Sequence, residues 1–445
     1  MKVIGIIAEY NPFHNGHAYQ IEKIKKDLQA DYVVVAMSGD FVQRGAPAII
    51  DKYARTQMAL SCGADLVIEL PVLWATASAE YFAMAGVTLF DKMGCIDGIC
   101  FGAETNDMNT LSMIANVLAD EPETYRTLLA SFLKEGLAFP VARSKALCAY
   151  FSQMPLDAIT TECPLTSCDL NNIADILSEP NNILAIEYLK ALKRRQSSIT
   201  PYVIKREGAG YHDEYIADTS DDAACPDSSA PTASATAIRK VLHSGTSFSD
   251  LQNPDALASA MPAPALEVLK KDCTNNSLVY PNDFSSILGY LLLTSDTDKL
   301  ANIGDSNSEL ANRFYKNRLN FSSFEQFCEL NKSKDTTYTR ISRVLVHFIL
   351  NISNNDYSFG KKLDYVPYLR ILGFCKNSSA LLKMLKHSAE VPLISKLADA
   401  SAILDADALI ILGKDIFAAD LYSQVRAGKN DVFPQSEYTR NIVIL

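Results

Sequence analysis

The sequence lacks the marks of several common ligand-binding classes. None of its ten cysteines stands in a CxxC arrangement or near a histidine, and Cys95/Cys100 and Cys163/Cys168 are only loosely spaced pairs. Buried, reduced thiols are therefore expected in place of a metal site or a disulfide framework. No apolar run approaches the roughly 20 residues that span a bilayer, so no membrane partner is expected. Residues 1–10 lack the shape of a signal peptide, and a cytoplasmic location follows as the expectation. There is no Walker loop and no GxGxxG, which withdraws support from γ-phosphate hydrolysis and from dinucleotide binding. No internal repeat is evident.

An excess of positive charge is also missing. The formal net charge is −11 over 445 residues, so the field of the whole protein would not steer a nucleic acid toward it. The distribution is uneven. Residues 1–245 carry 20 basic against 30 acidic side chains, and residues 246–445 carry 21 against 22. Arg313 to Arg343 holds seven basic residues against three acidic ones, leaving room for a local basic patch. A chain of this length predicts two or three domains, and 48% hydrophobic residues supply a full core.

What is present begins with alternation. VIGIIA (3–8), YVVVAM (32–37), DLVIELP (65–71) and IDGICFGAE (96–104) read as buried strands. KYARTQMALSCG, closed by Gly63, and AEYFAMAGVTLFDKMG read as helices between them. Strands alternating with helices predict an α/β, Rossmann-like, doubly wound parallel sheet, with ligands beyond the carboxyl ends of the strands. From about 108 to 195 the pattern turns helical, as an insertion, before a further strand in ITPYVIKRE. DTSDDAACPDSSAPTASAT (218–236) reads as a loop, ending at a helix start with Ser234 or Thr236 as cap. Residues 246–445 lack the alternation and are expected to form a mainly α-helical C-terminal domain after an N-terminal unit spanning 1–245.

The step from first strand to first helix, EYNPFHNGH (9–17), contains two of the six histidines, His14 and His17. A strand-to-helix turn in this fold points free N–H groups, backed by the helix dipole, at whatever occupies it. Phosphate is the usual occupant. Gly16 would admit a ligand close to the backbone, Pro12 would stiffen the approach, and imidazoles three positions apart can face one ligand. They can donate hydrogen bonds to phosphate, more strongly when protonated. Two other readings exist: His14 caps the turn while His17 packs on the helix, or both bind zinc, for which no further ligands can be placed.

NPFHNGH resembles the HxGH signature of the nucleotidyltransferase superfamily, whose members attack the α-phosphate of ATP and release pyrophosphate. ASATAIR (233–239) is similar to that superfamily's second motif, with Ala235 where Ser is usual. A finer resemblance is to the bacterial tRNA(Met) cytidine acetate ligase family. It runs through AEYNPFHNGH, MSGDFVQRGAPAIIDKYAR, GADLVIELP, FGAE, EPNNILAIEYLKAL, GAGYHD and SATAIRK, and more weakly through TTYTRISRVLVHFIL and YLRILGF.

That resemblance implies an ATP-dependent ligase that makes acetyl-adenylate and passes the acetyl group to N4 of the wobble cytidine of elongator tRNA(Met). Mg2+ would arrive with ATP, and no dedicated metal cage is visible. By analogy His14, His17 and Arg239 are catalytic, holding the triphosphate and its developing charge. Ile7, Ala8, Glu9, Asn11, Pro12, Phe13, Asn15, Gly16, Gly102, Asn181, Asn182, Arg206, Ser234 and Thr236 match positions expected at ATP. Ser38, Asp40, Gln43, Arg44 and Lys52 are candidates for the acetate or acceptor side, Arg44 or Lys52 supplying a cation for the carboxylate. For tRNA, Lys332, Lys334, Arg340 and Arg343 offer phosphate contacts and Tyr338 a stacking ring. Basic residues in the first turn of that helix oppose its dipole, which hints at an outside reason for them. Two rival functions share the motifs: a small-molecule adenylyltransferase of the nicotinate- or pantetheine-phosphate kind, and a catalytically silent nucleotide-binding regulator.

Overall fold

The computed structural model describes residues 1–153, 169–206, 234–245, 248–251, 254–273 and 277–445. The GAGYHD block, Cys163, Cys168 and all but the last three residues of the 218–236 loop lie outside the described residues. The seven cysteines among the described residues are free thiols, and no helix among them is long and apolar enough to cross a membrane.

The strands are β1 (Val3–Ala8), β2 (Tyr32–Ser38), β3 (Phe41–Val42), β4 (Ala46–Pro47), β5 (Leu66–Leu70), β6 (Gly98–Ala103), β7 (Thr200–Lys205), β8 (Leu369–Phe374), β9 (Leu393–Ile394) and β10 (Val443–Ile444). All but β3 and β4 form one eight-stranded sheet in the order β10-β8-β5-β2-β1-β6-β7, with β9 beside β8. Val3 to Ala8 pairs in parallel with Tyr32 to Met37. These central strands are buried on both faces, which is why they read as unbroken apolar runs. The N-terminal strands pair in parallel, as the alternation predicts. The sheet as a whole is mixed, because β5 pairs antiparallel with β8.

Five helices matter for the site's foundation: α1 (Asn15–Asp27), α2 (Lys52–Ser61), α3 (Val72–Ala75), α4 (Ala79–Met93) and α5 (Met108–Asp120). Helix α4 lies close on β1 because glycines open the way: a Cβ on Gly5 would come within 2.6 Å of Phe90, and one on Gly86 within 2.4 Å of Ile7. The C-terminal residues are mostly helical but do not stand apart. YLRILGF forms β8 inside the sheet, so this half supplies three of the eight strands through β8, β9 and β10. Alternation could not reveal this, since an isolated apolar run among helices carries no periodic signal.

A second junction joins the halves at the β3–β4 hairpin. Gly45, at φ +75°, sits so close to the Tyr338–Ile349 helix that a Cβ would fall 2.2 Å from the Arg343 amide nitrogen. Ser342 donates its hydroxyl to the Gly45 carbonyl at 2.5 Å. Gly136, at φ +80°, has nothing within 4 Å of the equivalent point. Gly136→Ala should therefore cost only the left-handed strain, about 1–2 kcal/mol. Gly45→Ala adds overlap with backbone and should cost a further 1–3 kcal/mol or so, read as a larger drop in unfolding midpoint. Equal losses would mean that the hairpin contact is loose.

Candidate active site

The chain runs outward from β1 through β2 to β5, then returns to lay β6 on the other side of β1. This reversal makes a crevice at the carboxyl ends of β1 and β6, where ligands of such sheets bind. A cavity of about 820 Å3 opens there. It draws on the β1 exit, α1, the hairpin, the end of β6, and the starts of the Pro180–Arg195 and Ala235–Leu242 helices.

His14 is the N-cap of α1, and its Nδ1 accepts from the Gly16 amide at 3.1 Å. His17 answers: its Nδ1 accepts from the His14 amide at 3.2 Å. An accepting Nδ1 leaves the proton on Nε2, so each ring is a fixed Nε2–H donor. The rings stack with centroids 3.7 Å apart, and Tyr10 and Phe13 pack against His17. Burial, then Arg206 and Arg239, lower His14 to about 3. Burial, then His14 and Arg206, hold His17 well below its ordinary value. Both imidazoles are neutral at pH 7, so they donate as neutral rings, without the added strength that protonation would give. The capping role that competed with the phosphate role is also present, because one ring nitrogen caps while the other remains for a ligand.

Arg239 enters from the Ala235–Leu242 helix, whose N-cap Ser234 accepts from Ala237 N at 3.1 Å. Its guanidinium donates to the Asn11 carbonyl at 2.7 Å and to Thr236 Oγ1 at 3.0 Å. Burial lowers it to about 10, with Glu9 opposing and Arg44 reinforcing, so it stays charged. Arg206 and Arg44 are also lowered, chiefly by burial. Three guanidiniums thus share the cavity wall with two carboxylates, Glu325 and Glu9, the latter accepting from Gln43 N at 2.8 Å. A buried surplus of positive charge calls for an anion.

Ile7, Ala8, Glu9, Asn11, His14, Gly16, His17, Gly102, Asn181, Arg206, Ser234, Thr236 and Arg239 all line the cavity, as do Gln43 and Arg44. The others do not. Phe13 is core, the Asn15 amide donates to the Ser259 carbonyl, and Pro12 follows a cis peptide after Asn11. Asn182 is a clamp: its Oδ1 accepts from Glu104 N and Thr105 N, while its backbone N–H donates to Glu104 Oε2. Glu104 Oε1 accepts from Asn181 Nδ2, which faces the cavity. Glu104 was therefore the residue to read in FGAE, since it sets the neighbouring asparagines.

Ser38, Asp40 and Lys52 are buried away from the cavity, in contrast to the acceptor-side expectation. Lys52, 1% exposed, pairs with Glu69 and Glu437 at 2.7 Å each. Burial and Arg370 pull its pKa down, but Glu69, Glu437 and Asp40 carry it above its usual value. Asp40 holds the Lys52 amide at 2.8 Å, and burial pushes it up to about 6. The expected tRNA residues divide. Lys332, paired with Glu329, and Lys334 are exposed. Arg340 and Arg343 both reach Asp305, at 3.6 and 2.7 Å, and Tyr338 packs half-buried against the core. The reason for a basic first turn is thus internal: Asp305 compensates it beneath the hairpin.

A cationic cavity on a strand-to-helix turn, with imidazole and guanidinium donors and no Walker loop, fits a nucleotidyl-transferring class of protein. The chain belongs to the HIGH nucleotidyl transferase family, which it matches over residues 1–436. It is 38% identical to the tRNA(Met) cytidine acetate ligase of Acetivibrio thermocellus and 36% identical to that of Clostridium acetobutylicum, covering 100% of both chains in each comparison. It is also similar to solved structures of Thermotoga maritima TmcAL, one bound with alpha-thio ATP (TM-score 0.85) and one without ligand (0.86), each at 28% identity and full coverage of both chains.

The neutral histidines give a stability signature. Between about pH 3 and 6.5 the unfolded chain binds a proton at position 14 and the folded chain does not. Stability should thus rise with pH across that window and fall on acidification. His14→Gln should flatten the slope by up to one proton, about 1.4 kcal/mol per pH unit, in denaturant unfolding at pH 5 and 7. An imidazole 15N titration near 6.5 in the folded protein would contradict the neutral, buried pair.

Proposed function

We propose that this chain is an ATP-dependent acetate ligase acting on tRNA(Met). The reading rests on full-length similarity to tRNA(Met) cytidine acetate ligases and on one observation: two neutral Nε2–H donors and Arg239 gathered where β1 meets α1. In the first step an acetate oxygen attacks Pα, the bond from Pα to the bridging oxygen breaks, and pyrophosphate leaves. The nucleophile is already a carboxylate, so this step needs no base. His14, His17 and Arg239 would stabilise charge building on the phosphoryl and leaving oxygens, and rigid donors do this without reorganising. In the second step the cytidine N4 attacks the acetyl carbon, AMP departs with the bonding electrons, and N4 loses a proton. Mg2+ accompanying ATP would sit on phosphate oxygens and water. Among the described residues no three His, Cys, Asp or Glu side chains gather as a metal cage.

Gly102 and Arg206, at the ends of β6 and β7, and Asn181, at the start of the Pro180–Arg195 helix, would take the nucleoside side, and Arg44 the acetate carboxylate. Lys332 and Lys334 remain as the tRNA phosphate contacts that their exposure supports. The small-molecule adenylyltransferase is disfavoured by full-length similarity to ligases.

Acetate-dependent ATP–pyrophosphate exchange, followed by acetyl transfer to tRNA(Met), tests the reading. His17→Ala should lower exchange at least 100-fold, as loss of a transition-state donor does, while tRNA binding survives. Exchange that ignores acetate, or AMP captured by a phosphate acceptor, would reject the ligase.

A further inference from the structure

The cavity extends past the nucleotide half. The reversal between β1 and β6 assigns one end to Gly102, Asn181 and Arg206, whereas the hairpin follows β2 and so lies on the other side of β1. On that side the wall passes from Arg44 to Tyr280, Glu325 and His243. Val279 anchors this edge by donating its amide to the Ile49 carbonyl at 3.0 Å. We infer that this edge is the subsite for an unstacked cytosine of the acceptor RNA, which deepens the ligase reading and rests on it.

The groups suit such a base. The His243 imidazole is exposed and held edge-to-face against Tyr280, with centroids 4.5 Å apart and planes at 73°. Tyr280 is itself fixed, its hydroxyl donating to the Leu242 carbonyl at 3.1 Å and its amide to Asp283 at 2.7 Å. An exposed ring held rigidly against a half-buried one is a platform on which an unstacked base can settle in single-stranded RNA recognition. Glu325 supplies the polar half. Asn282 Nδ2 donates to its Oε2 at 2.7 Å and orients the carboxylate, and a carboxylate accepts from the exocyclic amine of cytosine. Uracil carries an acceptor at that position and would meet the carboxylate's negative charge. The base would then sit between this edge and the histidine pair, its amine turned toward the activated acetyl group.

The experiment separates the two half-reactions. In His243→Ala and in Glu325→Gln, acetate-dependent ATP–pyrophosphate exchange without tRNA should stay within about twofold of wild type. The kcat/KM for acetyl transfer to tRNA(Met) should fall about tenfold or more, in line with stacking losses. His243→Phe, which keeps a ring, should recover most of the loss, an outcome a purely structural role would not give. Transfer unchanged in both variants, or exchange and transfer falling together, would overturn the subsite. A wild-type protein with no acetate-dependent exchange would remove the ligase reading itself, and that control tells the two failures apart.

Discussion

One buried guanidinium holds the site's foundation. Arg55, on α2 and wholly inaccessible, donates to the carbonyls of Glu9 at 2.6 Å, Ser38 at 3.0 Å and Ile50 at 3.1 Å, and also to Gly39. These carbonyls end β1 and β2 and close the loop that carries the hairpin. Parallel strands leave such carbonyls pointing past the sheet edge, where each needs a donor. A single fork with five N–H groups serves four of them at once. Without it, the turn that presents His14 and the hairpin that presents Arg44 would have no common reference. The cost is a charge removed from water, which lowers the Arg55 pKa mainly through burial.

A second buried network locks the two halves of the chain. Lys52 and Arg370 face Glu69 and Glu437, joining α2 and β5 to β8 and to a turn near the C-terminus. Burial opposes ionisation of Glu437, yet Lys52 and Arg370 lower it to about 2. Networks of this sort rarely add net stability over an apolar core, but removing one member strands a charge and costs several kcal/mol. They therefore fix which surfaces meet. The division of labour between a nucleotide-binding half and an RNA-binding half remains a proposal about function. Physically the halves share a sheet, an ion network and the Gly45–Ser342 contact.

The sequence made the central parallel strands and the phosphate turn legible because both depend on local signals: apolar runs between turn residues, and a dense motif at one strand exit. It hid what long-range pairing decides. Lys52 looked like a ligand-side cation because its partners, Glu69 and Glu437, come from other segments of the chain. Asn182 looked like a ligand contact, yet its side-chain oxygen accepts from the Glu104 and Thr105 amides and its backbone N–H donates to Glu104. Arg340 and Arg343 looked like an RNA patch because Asp305 lies some 35 residues upstream. In each case a polar residue was visible and its compensating partner was not.

The histidines show why this distinction matters for chemistry. A charged imidazole binds phosphate more strongly, but among three guanidiniums it would repel its neighbours, and burial already penalises it. Capping resolves the conflict. By spending Nδ1 on backbone amides, His14 and His17 become dipolar donors of fixed tautomer, while Arg206, Arg239 and Arg44 supply net charge. The site can then hold a triphosphate and an incoming carboxylate without changing its own protonation. In the proposed reaction two anions approach one another here, and that approach costs least when the positive charge is already in place and no group need titrate as they meet.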